Sequence, residues 1–179
     1  MSPGKLHPPM REPREFIGSS AISSRIDELA CEINGDFSSS PSIAFIAVAC
    51  GAMVFAADLM RRIKKPMTLD LVFAKSYVGT ESVGEVVSQL NLRNSLEGRD
   101  VLLVDDILDS GRTLVKISSE LRAFSPASIR TCVLLDKPSR RAVEFKADYV
   151  GFEIQDVFVI GFGLDYDGYY RNLPYIGCF

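Results

Sequence analysis

Apolar residues recur at helical spacing early in the chain, and this pattern predicts an amphipathic helix. Ser20 and Ser23 are placed to cap its first turn, and Gly35 is expected to end it. Because residues three or four positions apart share one face of a helix, the spacing also predicts which side chains are buried. These predicted core positions are Ile22, Ile26, Leu29, Ala30 and Ile33.

Two later segments also have helical features. Residues 53–63 follow a predicted turn at Cys50-Gly51 and end before Pro66. Residues 113–124 present one apolar face, which predicts a helix packed against a core. That face consists of Leu114, Ile117, Leu121 and Phe124.

Unbroken apolar runs of strand length lie between the predicted helices, and such runs are typical of strands that are buried on both faces of a parallel sheet. The runs are residues 42–49, 68–74, 101–104 and 129–135. We expect residues 84–90 to form a hairpin arm, with further short strands within 148–154 and 158–162. Strands that alternate with helices predict βαβ units and an α/β fold.

Two segments lack apolar periodicity. Residues 75–84 (KSYVGTESVG) contain two glycines and several polar residues, which indicates an exposed, mobile loop. Residues 1–15 are rich in proline and charge, which indicates a flexible N-terminal tail. Without an internal repeat or a second composition type, we expect a single domain over residues 16–179.

The composition of the 179-residue chain, 47% hydrophobic and 24% charged, is that of an ordinary globular protein. A formal net charge of −3 argues against general nucleic-acid binding, which needs a basic face. No apolar run approaches the roughly 20 residues that span a bilayer, and the N-terminus lacks an apolar signal region. We therefore expect a cytoplasmic protein with neither nucleic acid nor membrane as a partner.

Cysteine and histidine usage narrows the possible chemistry. The four cysteines are scattered without the CxxC spacing of a zinc site, which indicates free thiols in a reducing compartment. The one histidine, His7, lies in the predicted tail. Acid–base work is therefore left to carboxylates, lysine, tyrosine or cysteine.

The clearest chemical pattern is VLLVDDILDSGRTL at residues 101–114. A buried strand leads directly into Asp105 and Asp106, and ligands of open α/β sheets bind at the carboxyl ends of strands. Adjacent residues of an extended chain point to opposite sides. One carboxylate can thus face a ligand while the other turns toward a neighbouring loop or a second group of the ligand.

The residues that follow, Ser110-Gly111-Arg112-Thr113, predict a phosphate site. Backbone N–H groups and the positive end of the dipole converge at a helix N-terminus, and Gly111 permits a left-handed backbone. A phosphate site beside paired carboxylates suits a phosphorylated sugar that also binds Mg²⁺. Asp-Asp pairs also follow strands in Walker B-like sites and phospho-acceptor domains, but the chain has no GxxxxGK[ST] loop, which argues against a P-loop ATPase.

This motif closely resembles the signature of the phosphoribosyltransferases, which bind 5-phosphoribosyl-1-pyrophosphate (PRPP). From about residue 20 to residue 177 the chain is similar to the hypoxanthine–guanine branch of that family, with the segments in the expected order. The matching segments are ACGAMVFAADL, KSYVGTES, LLDKPSRR, YVGFEI, FVIGFGLDY and YRNLPYIG. The resemblance implies the type I phosphoribosyltransferase fold: a central, mainly parallel sheet flanked by helices, a small hood from the chain ends and a mobile loop.

The same resemblance implies an enzyme of purine salvage. Such an enzyme transfers the 5-phosphoribosyl group from PRPP to hypoxanthine or guanine, with Mg²⁺ as cofactor, and forms IMP or GMP and pyrophosphate. Asp109 matches the general base near purine N7, and Mg²⁺ is expected at Asp105, Asp106 and Asp165. The implied PRPP-binding residues are Asp105, Asp106, Ser110, Gly111, Arg112, Thr113, Cys50, Gly51 and Arg171.

On the purine side, Lys137 matches the lysine that contacts the 6-oxo group, and Phe158 matches the aromatic residue that stacks on the base. Val159 and Asp165 match positions at the edge of the purine. Ser76 and Tyr77 match the base of the mobile loop. The resemblance further implies a homodimer or homotetramer.

Two positions depart from the family pattern. Asp105 stands where glutamate is usual, which shortens the side chain by one methylene and keeps the charge. Ala49-Cys50-Gly51 stands where the family commonly has Leu-Lys-Gly, in a loop that contacts pyrophosphate mainly through its backbone and whose first peptide is often cis. We expect backbone contact from Cys50 and Gly51, while the effect of the missing lysine stays open.

Two alternative functions fit a PRPP site. A PRPP-sensing regulator would need a basic face or an added binding domain, and the sequence shows neither. A phosphoribosyltransferase for adenine or a pyrimidine is disfavoured by Lys137 and by the segment LDYDGYYRNLPYIG. The sequence does not decide among hypoxanthine, guanine and xanthine.

Overall fold

The computed structural model describes residues 12–76 and 86–179. Nine strands, three α-helices and one 3-10 turn (Pro138–Arg140) make up this part of the chain. In order, the strands and helices are β1 (Arg14–Ile17), α1 (Ser19–Asp36), β2 (Ile43–Ala49), α2 (Met53–Met60), β3 (Met67–Ser76), β4 (Val86–Leu90), β5 (Asp100–Leu108), α3 (Arg112–Arg122), β6 (Ser128–Asp136), β7 (Tyr149–Glu153), β8 (Val159–Ile160) and β9 (Ile176–Cys178).

The main sheet has six strands in the order β4-β3-β2-β5-β6-β7. Its neighbouring strands run parallel, except that β4 pairs antiparallel with β3. The predicted parallel sheet and the predicted hairpin arm are both confirmed. β5, which carries the acidic motif, lies at the centre between β2 and β6.

The apolar runs are explained by burial on both sides of this sheet. Every residue of β2 is buried, and its side chains alternate between two cores. Phe45 packs with residues of α1 and α2 on one face, whereas Ile46 packs with residues of α3 on the other. The helices therefore lie on opposite faces, as the βαβ pattern predicted.

The predicted core face of α1 is confirmed, since its five predicted apolar residues are all buried. The predicted capping is wrong, because Gly18 is the N-cap and Ser20 and Ser23 lie inside the helix. The helix also continues past Gly35 to Asp36. Its first turn is thus stabilised by packing rather than by a side-chain cap.

The other helices are shorter than predicted. α2 ends at Met60 and α3 ends at Arg122. Leu114, Ile117 and Leu121 are buried as expected, but Phe124 lies beyond the end of α3 and is 45% exposed. The predicted apolar face of α3 therefore extends one residue too far.

A small second sheet, which we call the hood, joins distant parts of the chain in the order β1-β9-β8. β9 pairs antiparallel with both of its neighbours. β1 begins at Arg14, so the last two residues of the expected tail lie in a strand. The hood implied by the family resemblance is confirmed.

The predicted mobile loop falls mostly outside the described residues. Ser76 is the last residue of β3, and Tyr77 and the rest of the loop up to residue 84 belong to the part that is not described. Within the described ranges, none of the helices is both long and apolar enough to cross a membrane.

Candidate active site

A cavity of about 740 Å³ lies at the carboxyl ends of β2 and β5. Most of the predicted PRPP residues and the predicted base line it together, although they come from four separate stretches of the chain. The lining includes Cys50, Gly51, Asp105, Asp106, Asp109, Ser110, Gly111, Arg112, Thr113, Asp165 and Arg171. Of the four predicted purine residues, Asp165 belongs to this lining, whereas Lys137, Phe158 and Val159 lie outside it.

Asp105 and Asp106 extend the central strand into the cavity. Asp105 is buried, while Asp106 is half-buried and lies against the loop after β2. A Cβ atom on Gly51 would come within 1.7 Å of Asp106 Oδ2, so only glycine permits this approach. One of the two carboxylates is thus turned toward a neighbouring loop.

Burial makes both adjacent carboxyl groups costly to ionise. Burial raises the pKa of Asp105 well above its usual value, and the negative charge of Asp106 raises it further. Burial also raises the pKa of Asp106, although the positive charge of Arg171 acts in the opposite direction. The pair therefore favours a shared proton or an added cation over two bare negative charges.

The phosphate loop, residues 109–113, connects β5 to α3. Gly111 is the N-cap of α3 and has the left-handed φ of 84° that the sequence predicted. The backbone N–H of Arg112 donates to Ser110 Oγ at 3.4 Å. The start of α3 thus faces the cavity with the backbone geometry that suits a bound phosphate.

Asp109 lies at the edge of the same cavity and is partly exposed. Arg140 Nε donates to Asp109 Oδ1 at 3.2 Å, and both side chains are about half exposed. Ion pairs that are open to water contribute little to stability. Asp109 can therefore exchange this contact for a proton donor on a substrate at small cost.

The loop after β2 forms the opposite wall. The peptide between Ala49 and Cys50 is cis, as in the family loop that this segment resembles. Gly163, with a φ of 101°, lies so close that a Cβ atom there would be 2.2 Å from Gly51 O. The β2 loop and the segment after β8 therefore fit together only because position 163 is glycine.

Arg171 connects this wall to Asp165. Its Nη1 donates to Gly163 O at 2.6 Å, and its Nη2 lies 2.7 Å from Asp165 Oδ1. The backbone N–H of Gly168 donates to Asp165 Oδ2 at 2.7 Å. Sequence analysis found Arg171 and Asp165 but missed Gly163, although the spacing Gly-Phe-Gly marks a tight backbone approach.

The predicted purine residues outside the cavity lining come from two separate stretches of the chain. Lys137 follows β6 and is only 7% exposed, and its Nζ lies 3.8 Å from Asp156 Oδ1. Phe158 is exposed and packs edge-on against Tyr166 with ring centroids 5.6 Å apart. Val159 is buried as the first residue of β8. Asp156 also pairs with Arg140, which links Lys137 to Asp109.

The three acids expected to hold Mg²⁺ all line the cavity. In the described part of the chain, however, no three side chains of His, Cys, Asp or Glu converge into a ready metal site. Mg²⁺ is usually held by one or two carboxylates together with substrate oxygens. The adjacent pair Asp105 and Asp106 fits that mode of binding by its charge and by its oxygen donors.

The geometry of this cavity agrees with a family comparison. A family model described as "Phosphoribosyl transferase domain" matches residues 18–167. The chain belongs to the phosphoribosyltransferase family.

Relatives within this family are named for purine substrates. The chain is 43% identical over 163 residues to the hypoxanthine-guanine phosphoribosyltransferase of Bacillus subtilis, and the match covers 90% of each protein. A crystal structure of a hypoxanthine-guanine phosphoribosyltransferase from Bacillus anthracis, with HEPES in its active site, superposes with a TM-score of 0.88 at 40% identity. That match covers 94% of this phosphoribosyltransferase and 99% of the Bacillus anthracis chain.

A more distant organism provides a structure with a bound nucleotide. The hypoxanthine phosphoribosyltransferase of Trypanosoma cruzi in complex with the product IMP superposes with a TM-score of 0.86 at 37% identity. The match covers 96% of this phosphoribosyltransferase and 97% of that chain. The fold and family predicted from the sequence are thus confirmed.

Proposed function

We propose that the protein transfers the 5-phosphoribosyl group of PRPP to N9 of a 6-oxopurine, hypoxanthine or guanine, and releases pyrophosphate. The observation that supports this most directly is the single cavity that joins Asp105 and Asp106, Asp109 and the N-terminus of α3. Transfer of a phosphorylated sugar to a base needs an acid pair, a general base and a phosphate site close together. The product would be IMP or GMP, in a purine salvage reaction.

PRPP would span the cavity between its two walls. The phosphate loop would hold the 5′-phosphate through backbone N–H groups and the hydroxyls of Ser110 and Thr113. Asp105 and Asp106 would accept hydrogen bonds from the ribose hydroxyls. On the far wall, the backbone of Cys50 and Gly51, together with Arg171, would bind the pyrophosphate.

The purine would lie beyond the ribose, toward Lys137. The ammonium group of Lys137 would donate to the 6-oxo oxygen, and this contact selects an oxo group over an amino group. Phe158 is exposed and free to stack on the ring, and the backbone of Val159 and Asp165 would contact the purine edge. These roles come from the family resemblance and from the arrangement of the residues beside Asp109.

The chemistry is a substitution at ribose C1. Asp109 would take the proton that the purine loses, and general-base help of this kind contributes about 10²–10⁴-fold to a rate. The carboxylates of Asp105 and Asp106 suit the positive charge that develops on the sugar. The segment from Ser76 and Tyr77 through residue 84 would close over the cavity and keep water from attacking C1.

Mg²⁺ would be held by Asp105 and Asp106 with the oxygens of PRPP, and a second ion by Asp165 on the pyrophosphate side. When bound, Mg²⁺ offsets the charge of the departing pyrophosphate. Asp165 is already oriented by Arg171 and by Gly168 N–H. These two contacts would keep the Asp165 carboxylate directed toward the wall of the cavity that contains Gly51.

A second copy of the chain is the partner we propose for the exposed face of β3, which we call the β3 face. Alternate residues of β3 and one of β4 place large apolar side chains in solvent on this face, and such patches mark interfaces. These residues are Leu69, Leu71, Phe73 and Val87. The face would form the contact of a homodimer, which can pair again into a homotetramer.

We place the enzyme in the cytoplasm, because all four of its cysteines are free thiols. Formation of nucleoside monophosphate from PRPP and Mg²⁺ with hypoxanthine, guanine, xanthine or adenine, followed by ultraviolet absorbance, tests the proposed activity. We expect turnover with hypoxanthine or guanine and none with adenine. PRPP binding without turnover on any of the four bases would instead indicate a regulatory protein.

A further inference from the structure

The turn after β6 lies against the phosphate loop and donates hydrogen bonds to the carbonyl oxygens at the start of that loop. The backbone N–H of Lys137 donates to Leu108 O at 2.9 Å. The backbone N–H groups of Ala142 and Val143 donate to Ser110 O at 3.0 and 3.3 Å. The two ends of this turn thus donate hydrogen bonds to Leu108 O and Ser110 O, the first and last of three consecutive carbonyl oxygens.

Arg141 holds the middle of the same segment. Its Nη1 donates to Leu108 O at 3.0 Å and also to Asp109 O, while its Nη2 binds the carboxylate of Asp136. The Arg141 and Asp136 side chains are only 16% and 12% exposed. A guanidinium has the fixed fork of donors that such a three-way contact requires.

These bonds determine where the N–H groups of the loop point. In a trans peptide the carbonyl and the following N–H are antiparallel, and within the described residues the cis bond is the one at Ala49-Cys50. With the carbonyls of Leu108, Asp109 and Ser110 all turned toward one segment, the N–H groups of Asp109, Ser110 and Gly111 point to the other side. Successive N–H groups aimed at one space form an anion-binding concavity.

The packing around Gly111 leads to the same conclusion. A Cβ atom on Gly111 would lie 3.0 Å from Val143 Cγ2 and 3.2 Å from Arg141 Cδ. The stem of Arg141 therefore presses directly against the left-handed residue that begins α3. Arg140 and Ala142, on either side, reach the cavity lining, while Arg141 lies beneath the loop.

We propose that Arg141, oriented by Asp136, is a positioning residue that holds the phosphate loop in its phosphate-binding conformation. Arg141 touches no substrate; it acts by fixing three peptide planes before PRPP arrives. The inference rests on the proposed function, because it assigns the loop to the 5′-phosphate of PRPP. It also predicts that the loss of Arg141 affects one end of PRPP more than the other.

The test compares two fragments of the substrate on purified full-length variants. Calorimetric titrations with ribose 5-phosphate report on the phosphate loop, and titrations with inorganic pyrophosphate and Mg²⁺ report on the opposite wall. We expect Arg141→Met to weaken ribose 5-phosphate binding by roughly tenfold or more, since preorganisation of the site is lost, and to change pyrophosphate binding by less than about twofold. Arg141→Lys should restore part of the loss, because an ammonium group can replace one of the donors.

Arg25→Met is the matched control. Arg25 also uses its guanidinium to hold two backbone carbonyls, those of Val150 and Gly151, at 2.9 Å each, but it lies on α1 and outside the cavity lining. We expect this variant to lose stability in urea while both fragment affinities stay unchanged. This control separates a general loss of stability from a loss of loop geometry.

Arg141→Met can fail to fold, since removal of one partner leaves the Asp136 carboxylate buried and unpaired. Asp136→Asn then provides the test, because it keeps the shape and removes the charge that orients Arg141. A selective loss of ribose 5-phosphate affinity in either variant supports the proposal. Equal effects on both fragments, or none, would overturn it, provided the wild type turns over hypoxanthine. If the wild type neither binds the fragments nor turns over, the proposed function itself fails.

Discussion

At the scale of single residues, the site depends on two acidic side chains, Asp105 and Asp106, which lie where little water can screen their charges. Asp105 and Asp106 are adjacent in the central strand, and each carboxylate accepts a hydrogen bond from the backbone of the next residue. Asp106 N–H donates to Asp105 Oδ1 at 2.9 Å, and Ile107 N–H donates to Asp106 Oδ1 at 2.8 Å. These bonds orient the carboxylates but do not neutralise them. A functional pair of this kind is maintained at the expense of stability.

Asp105→Asn should therefore stabilise the protein while it lowers activity. The folded-state pKa of Asp105 is raised, so the wild type is most stable below the unfolded value and loses stability as pH rises toward the folded pKa. The asparagine variant lacks that loss and still accepts the bond from Asp106 N–H. We expect a higher free energy of unfolding at neutral pH, because the amide has no charge whose burial must be offset.

Urea unfolding of both proteins between acidic and neutral pH measures this effect. The two stability curves should approach each other at low pH and separate as pH rises. A gain that is equally large at acidic pH would show that charge is not its cause.

Asp109→Asn isolates the proposed base. The amide keeps the shape of the side chain but cannot take a proton, so turnover with hypoxanthine should fall by about 10²–10⁴-fold. PRPP affinity should change little, because the proposed phosphate contacts of the loop come from its backbone N–H groups. Steady-state kinetics and PRPP titration of the variant check both quantities, and unchanged turnover would remove Asp109 from the base role.

At the scale of elements, the wall opposite the phosphate loop depends on the fit of two backbone segments. The β2 loop and the segment after β8 touch at Gly51 and Gly163, and Arg171 donates to Gly163 O from the next turn. Apolar periodicity identifies β2, β5 and β6 because their side chains fill two cores. It does not identify this contact, which involves backbone atoms from residues that are far apart in sequence.

Gly163→Ala should separate the two segments. Its Cβ atom would overlap Gly51 O at 2.2 Å, and its positive φ adds strain. Gly168→Ala is the matched control, since Gly168 also has a positive φ of 84° but has open space around it. We expect a loss of about 1 kcal/mol in unfolding free energy for Gly168→Ala, and at least roughly twice that loss for Gly163→Ala.

Pyrophosphate titration distinguishes the two variants further. Gly163→Ala should weaken pyrophosphate binding because it displaces Gly51, whereas Gly168→Ala should not. Similar pyrophosphate affinities in both variants would mean that the contact at Gly51 O is unimportant for the far wall.

Apolar patterns do not reveal contacts between segments that are far apart in sequence, and this explains which parts of the site were predictable. Asp105, Asp106 and Gly111 form a continuous motif whose chemistry follows from strand alternation and helix geometry, and the structure places them as expected. Arg141 had no such signal, because its role depends on the end of β6 lying beside the end of β5. Phe124 was wrongly assigned to the buried face of a helix because the apolar spacing continues in the sequence after α3 has ended.

At the scale of the whole molecule, the β3 face is the largest feature that the single chain leaves unexplained. β3 is buried on one side, where Val72 is fully enclosed, and open on the other, where Leu69 and Phe73 are each 45% exposed. The open side of β3 belongs to the same face of the sheet that α1 and α2 cover at the neighbouring strands. A second copy is the simplest cover for an apolar surface of this kind.

Leu71→Glu should split the proposed dimer, because a two-fold contact brings the new charge into the interface from both copies. Val115→Glu is the control, since Val115 on α3 has the same 37% exposure as Leu71 and lies elsewhere on the surface. Sedimentation velocity should show a halved mass for Leu71→Glu alone. A wild-type mass in both variants, or a monomeric wild type, would contradict the assignment of the β3 face.

The hood has a consequence for how the enzyme is made. The six strands of the main sheet are complete once Glu153 has been synthesised, and they contain the acid pair. β9 lies between β1 and β8, so the hood cannot assemble until residues 176–178 leave the ribosome. A nascent chain would therefore complete the strand that carries the acid pair before β8, which carries Val159, can be held in the hood.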